Sequence, residues 1–234
     1  MTSERGVGGI DRGTGLPERG RRPFVRPVDD PPGTSRLFVA LPVAESVRTA
    51  LGDLMSTVAG GSIEVRSFGQ PRWVRVDGLH VTLRFLGATP DEKLGVLGEA
   101  LAAAASGVEP FSVTLSGAGS FPNPSHPRVL WIGIAQGEEP IAALVRRLDP
   151  ELLPLGWPPE NRPFSPHLTL ARTDGVPGAA ERARHLVELA RDIELSWSVD
   201  RIVLYKSVIG RGPTRYEALS EAMLAGLHGP LDSR

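Results

Sequence analysis

The sequence predicts an α+β fold built twice over, with two antiparallel sheets facing a central cleft and helices packed outside. Three observations predict it. Strand-like runs alternate with amphipathic helical runs from about residue 36 onward. Two nearly identical tetrapeptides, His80-Val81-Thr82-Leu83 and His167-Leu168-Thr169-Leu170, fall one in each half. Each tetrapeptide has the strand alternation that puts His and Thr on one face and the apolar residues on the other. A chain that repeats such a unit suggests internal duplication about a pseudo-twofold axis.

Taken in order, Arg36 to Leu41 is a β-branched and aromatic run and reads as the first strand. After Pro42, apolar residues at Val47, Leu51, Leu54, Met55 and Val58 have helical spacing, and Gly60-Gly61 ends that helix. Trp73 to Val76 and His80 to Leu86 read as strands joined at Asp77-Gly78, a hairpin signal. Thr89-Pro90-Asp91-Glu92 reads as an N-cap with Pro at the first helical position, starting a helix through about Ala105. Phe111 to Leu115 and Val129 to Ile134 are strands around a Gly/Pro/Asn loop, and Pro140 to Leu153 is an amphipathic helix. A loop over 156–166 leads into the second His strand, His167 to Ala171, and a helix covers Ala179 to Ala190. Strands at Leu195–Val199, Ile202–Val208 and Arg215–Leu219 follow, then a short apolar helix near Ala222 to Leu227.

The first 35 residues differ in kind. Rich in Gly, Pro and Arg and poor in large apolar side chains, they cannot bury enough surface to offset ordering entropy and read as a disordered tail. Residues 36–228 then form a single bilobal domain. Arg21-Arg22 lacks the following apolar stretch of an export signal, because Pro23, Pro27, Asp29 and Asp30 stand there. The hydrophobic fraction of 41% in 234 residues supports a proper core. A net charge of −1 argues against wholesale capture of long nucleic acid, while a short RNA end held by local contacts fits. Only Lys93 and Lys206 of the 26 basic residues are lysines, so nearly every positive charge is a guanidinium. Without cysteine there is no disulfide framework, thiolate nucleophile or Cys-ligated zinc. No apolar run approaches the ~20 residues that span a bilayer, and a cytoplasmic monomer is expected.

The two His strands carry the chemistry. Imidazoles with an ordinary pKa near ~6.5 can take a proton off water and deliver one to a leaving oxygen at neutral pH, if one is neutral and one protonated. Thr82 and Thr169, each two residues beyond a His, could donate to the oxygens of a phosphate ester. The remaining histidines, His126, His185 and His228, form no His-x-His or His-Glu-x-x-His spacing, so neither a metal nor another cofactor is expected. No Gly-rich loop ends in Lys-Ser/Thr, which argues against an NTP-using ligase.

The chain resembles the 2H phosphoesterase superfamily, and within it the RNA 2',3'-cyclic phosphodiesterases, or 2',5'-RNA ligases. The resemblance is carried by Arg36 to Leu41, Trp73 to Gly87, Gly119 to Pro124, Pro127 to Trp131, Arg162 to Arg172 and Val203 to Ser207, in the family's order. It implies the bilobal architecture, on which the symmetry expectation mainly rests, because identity between the halves is confined to the tetrapeptides. It also implies that His80 protonates the departing O3' and His167 activates water, leaving a 2'-phosphate. The expected partners are RNA ends or nucleotides with a 2',3'-cyclic phosphate. Arg172 stands where the family carries a phosphate-contacting arginine, although strict alternation would turn it away from His167, so the strand must end, twist or bulge before it. Phe164 is a candidate for stacking on a base or for the core, and Arg84 is expected on the face of His80. The alternatives are a 2H enzyme for small nucleotide cyclic phosphates or 2',5'-oligonucleotides, and a non-catalytic nucleotide-binding module.

Overall fold

The strand built from Thr34–Pro42 (β1) is buried over nearly its whole length, which is what a central strand flanked on both sides requires. A computed structural model describes residues 31–61, 70–209 and 213–226. The expectations for the first 30 residues and for His228 lie outside the described residues. The first strand starts two residues earlier than the sequence suggests, because Thr34 and Ser35 already pair with Pro90 and Thr89.

After β1 come α1 (Glu45–Ala59), a two-residue β2 (Arg72–Trp73), β3 (His80–Pro90), α2 (Leu94–Ala105), β4 (Phe111–Phe121) and β5 (Val129–Gln136). Then follow α3 (Glu138–Leu152), β6 (His167–Arg172), α4 (Ala179–Leu189), β7 (Leu195–Val199), β8 (Arg201–Val208) and β9 (Arg215–Met223). The apolar stripe of α1 is buried at Val47, Leu51, Met55 and Val58, and Gly60 closes the helix in the left-handed region at φ 71°.

All strand pairs are antiparallel, in the order β7-β4-β5-β6-β3-β1-β8-β9, with β2 beside β6. The α+β class is as expected, but two separate sheets are not found: because the two His strands pair with each other, the two strand sets are continuous in one nine-stranded sheet. They join at one bridge pair, Val81↔Leu168, where the two His strands run side by side. Leu83, Val81, Leu168, Leu170 and Ile132 fill the core beneath this seam.

Three local expectations do not hold. Asp77-Gly78 does not make a hairpin; residues Val76–Gly78 form a 3-10 turn and β2 pairs with β6, not β3. Thr89 does not cap a helix, because β3 runs on to Pro90, a 3-10 turn covers Asp91–Lys93, and α2 starts at Leu94. Thr89 instead bonds the Gly87 carbonyl, and Asp91 accepts from Ser35 at 2.6 Å. The expected helix at 222–227 is, as far as Met223, the end of β9, whose ladder with β8 decides its conformation; Leu227 lies outside the described residues.

Candidate active site

Antiparallel pairing at Val81↔Leu168 puts His80 opposite Thr169 and Thr82 opposite His167 on the outer face of the sheet. The four side chains form a crossed square, with the histidines on one diagonal, about 7–8 Å apart for such positions.

The same local device orients both rings. His80 Nδ1 lies 2.7 Å from the Gly78 carbonyl and His167 Nδ1 lies 2.8 Å from the Ser165 carbonyl, each two residues upstream. A carbonyl only accepts, so Nδ1 carries the proton in both and each neutral ring keeps a lone pair on Nε2. Aromatic walls hold the rings: Phe38 at 4.7 Å and Tyr216 edge-on at 5.0 Å for His80, Phe121 edge-on at 5.0 Å for His167. Burial lowers the His80 pKa to about 4, with smaller contributions from the charges of His167 and Arg172, against the bond to Gly78. Burial likewise lowers that of His167, helped by Arg172 and opposed by the bond to Ser165. Both are neutral at pH 7 in the free protein. Among the described residues the Thr82 and Thr169 hydroxyls have no hydrogen-bond partner and remain available to a ligand.

Two β-bulges decide what else faces the cleft. On β6, Thr169 pairs with Trp131 and Ala171 with the next residue, Leu130, so Leu170 is extra. Leu170 and Ala171 are consequently both buried, and Arg172 returns to the face of Thr169. The strand irregularity that the sequence demanded for Arg172 is this bulge. On β3, Thr82 pairs with Ala40 and Arg84 with the next residue, Val39, making Leu83 extra. Here the same device turns Arg84 away: it is 4% exposed on the helix side, bonded to Asp149 at 3.2 Å and to the Pro158 carbonyl. Arg84 therefore does not share the face of His80, and Phe85 takes the outward place.

The cleft has a volume of about 420 Å³, with His80, Thr82, Thr169 and Arg172 at its polar end and Phe38, Phe85, Ile209 and Tyr216 along its apolar wall. Phe85 is 58% exposed. Phe164 does not line this cleft; it is half-buried against the core. Phe85 and Tyr216 were missed from sequence. Phe85 had a signal, since it stands five residues after His80 as Arg172 stands five after His167. Tyr216 had none, because β9 brings it there from a distant part of the chain. His126 is in the exposed loop after β4 and His185 on α4, away from the site. Among the described residues no cluster of three or more His, Asp or Glu could hold a metal.

The fold and this site define a protein of the two-histidine phosphoester type. The family model described as the 2'-5' RNA ligase superfamily matches residues 55–210, and the chain belongs to that superfamily. It is 35% identical over 207 residues to an RNA 2',3'-cyclic phosphodiesterase of Thermus thermophilus, covering 83% of this chain and 92% of that one. It is 31% identical to one of Methanothermobacter thermautotrophicus, covering 74% and 89%. A relative of the same name from Geobacillus stearothermophilus is 34% identical, and the chain spans 58% of its length. Among solved structures, LigT of Escherichia coli complexed with 3'-AMP superposes with a TM-score of 0.61 at 27% identity, covering 82% of this chain and 99% of that one. A structure from Thermus thermophilus gives 0.64 at 29% identity, covering 82% and 100%.

Proposed function

We propose that this protein hydrolyses 2',3'-cyclic phosphate ends of RNA to 2'-phosphomonoesters, by acid/base catalysis shared between His80 and His167 and without a metal. One observation carries the reading: the crossed square of two Nε2-exposing imidazoles and two unpartnered Thr hydroxyls, with Arg172 beside it. The names of the relatives support the substrate.

The walls of the cleft support the division of labour. Most of its apolar surface, Val74 after β2 being the exception, belongs to β1, β3, β8 and β9 and the segments beside them on the His80 side, so the nucleoside lies there, with Phe85 as a platform for the base. In-line displacement puts the departing ribose oxygen on the nucleoside side of phosphorus and the attacking water opposite. His167 Nε2 takes the proton of water as the new P–O bond forms. The P–O3' bond breaks, and O3' takes the proton from His80 Nε2. Low basicity makes His80 a strong acid once protonated, and the bound phosphate anion opposes the burial that discourages its charge. Arg172, Thr82 and Thr169 meet the charge that grows on the non-bridging oxygens. With the 5'-hydroxyl of a second strand in place of water, the same steps open the cyclic phosphate into a 2',5'-phosphodiester, P–O3' breaking as P–O5' forms. Run backward, they return the cyclic phosphate and the 5'-hydroxyl.

A volume of about 420 Å³ holds one nucleotide, so a cyclic mononucleotide is the minimal substrate and RNA beyond the last residue lies outside the cleft. Such an enzyme works as a monomer on RNA ends in the cytoplasm; among the described residues no helix is long and apolar enough to cross a membrane. The test is incubation of the purified protein, in excess chelator, with an oligoribonucleotide ending in a 2',3'-cyclic phosphate. A 2'-phosphate product is expected. A 3'-phosphate product would reverse the assignment of the leaving oxygen, and absence of turnover on both this substrate and cyclic mononucleotides would overturn the reading.

A further inference from the structure

The square of His80, Thr82, Thr169 and His167 straddles a weak seam. β1 pairs with β3 along most of both strands, and β5 with β6 likewise, but β3 and β6 share only Val81↔Leu168. One bridge pair leaves the angle and slide between the strands loosely fixed. The separation of the two imidazoles depends on both.

Behind the seam, three contacts tie the segment leading to β6 to the strand and turn that follow His80. Arg84, on β3, reaches Asp149 of α3 at 3.2 Å and bonds the Pro158 carbonyl. The Trp157 indole N–H donates to the Leu86 carbonyl of β3 at 2.9 Å. Lys93 donates to the Leu155 carbonyl at 2.7 Å, and its ammonium sits 4.9 Å from the Trp157 ring centre. Asp149, Leu155, Trp157 and Pro158 all lie on α3 or in the residues directly after it, and the chain from Pro158 runs without further secondary structure to His167.

Arg84 is the centre of this latch and an odd choice for stability alone. Its side chain is 5% exposed, its partner Asp149 keeps part of its side chain in solvent, and its Nε, buried, has no partner among the described residues. Burying a charge with one donor unsatisfied is costly, and an apolar side chain of similar length often serves stability as well or better. What an apolar side chain cannot do is fix two separate points of the other half, a carboxylate and a backbone carbonyl, with one rigid planar group.

We infer that Arg84 is a positioning residue, which latches the second half to the first behind the His strands and so sets the His80–His167 diagonal. The inference rests on the reading of the site as a two-histidine centre. Arg84 touches no substrate, and it acts through the mutual placement of two groups that it does not contact. Misplacement of reacting groups by about 1 Å can cost up to ~10²-fold in rate.

The test is Arg84→Met, with Trp157→Phe as a milder variant that keeps an aromatic ring beside Lys93 and removes the bond to Leu86. With a 2',3'-cyclic mononucleotide, Arg84→Met is expected to lower kcat by about 10- to 100-fold and to leave KM within about threefold. Trp157→Phe is expected to lower kcat by a few fold, and Arg84→Lys to recover part of the Arg84→Met loss. In a His167→Ala background, where the paired proton transfer is already gone, Arg84→Met is expected to cost less than about threefold. Nitrogen NMR of the imidazoles gives a readout independent of turnover: both His80 and His167 signals are expected to move in each folded variant. Wild-type kcat with unmoved imidazole signals would overturn the inference, as would an equal loss in the His167→Ala background. If Arg84→Met does not fold, Trp157→Phe alone decides by the same measures. Should the wild type leave cyclic phosphates intact, the functional reading fails separately, and the imidazole signals still decide whether the latch sets the diagonal.

Discussion

Replacing Gly78 with Ala probes how the His80 side of the site is assembled. Gly78 has no left-handed backbone angle, so a Cβ there introduces no backbone strain. It does collide: an ideal Cβ would stand 2.8 Å from Tyr216 Cδ2 and 3.2 Å from Cε2. Reaching the 3.4 Å of ordinary contact moves the ring by about 0.6 Å. The Tyr216 ring cannot move without consequence, because it rests edge-on against His80 at 5.0 Å and against Phe38 at 5.1 Å. Moving the backbone instead displaces the Gly78 carbonyl that holds His80 Nδ1 at 2.7 Å. Overpacking of this kind costs about 1–3 kcal/mol, or roughly 3–10 °C in Tm for a domain of this size. A displacement of roughly half an ångström at a proton-transfer group is expected to lower kcat by about tenfold. The assays are thermal unfolding and steady-state hydrolysis of a cyclic mononucleotide. Gly78→Ala with wild-type Tm and wild-type kcat would refute the steric argument. A fall in Tm without any change in kcat would refute the link from Tyr216 to His80.

His80→Ala and His167→Ala are each expected to lower turnover by roughly two to four orders of magnitude while substrate affinity stays within a few fold, measured by steady-state rates and equilibrium binding. Phe85→Ala removes a side chain that is 58% exposed, so Tm should hold while KM rises about 5- to 150-fold, the worth of one stacked base. In the free protein His80 titrates near about 4 and His167 below its ordinary value, and catalysis needs one imidazole charged and one neutral. Raising the pH through both values leaves both neutral, and lowering it below both leaves both charged, so kcat/KM should peak on the acid side of pH ~6.5 and fall on either flank. Bound phosphate raises both values, so kcat should peak at higher pH than kcat/KM; initial rates from about pH 4 to 9 check this, and a kcat/KM still climbing above about pH 7 would contradict it.

Much of this molecule is legible in its sequence because the determining interactions are short-range. Strand alternation puts His80 with Thr82 and His167 with Thr169, the helical stripe of α1 reads directly as its buried face, and the recurrence of the tetrapeptide announces a doubled site. The α+β class follows from the same periodicities. Where sequence reasoning stopped, a partner strand had decided. A bulge is invisible within one strand, since it exists only as two residues against one on a neighbour. Two of them, at Leu83 and Leu170, reverse the alternation, sending Arg84 behind the sheet and bringing Phe85 and Arg172 to the cleft. Asp77-Gly78 has the composition of a hairpin turn, yet its glycine serves to admit the Tyr216 ring from the far end of the chain. The sequence by itself determined the chemical groups and their local pairing. Only the tertiary structure decided that the two His strands lie side by side in opposite directions, because antiparallel register at Val81↔Leu168 is a long-range choice made by the core beneath it, and that choice turns two separate His-Thr pairs into one crossed site.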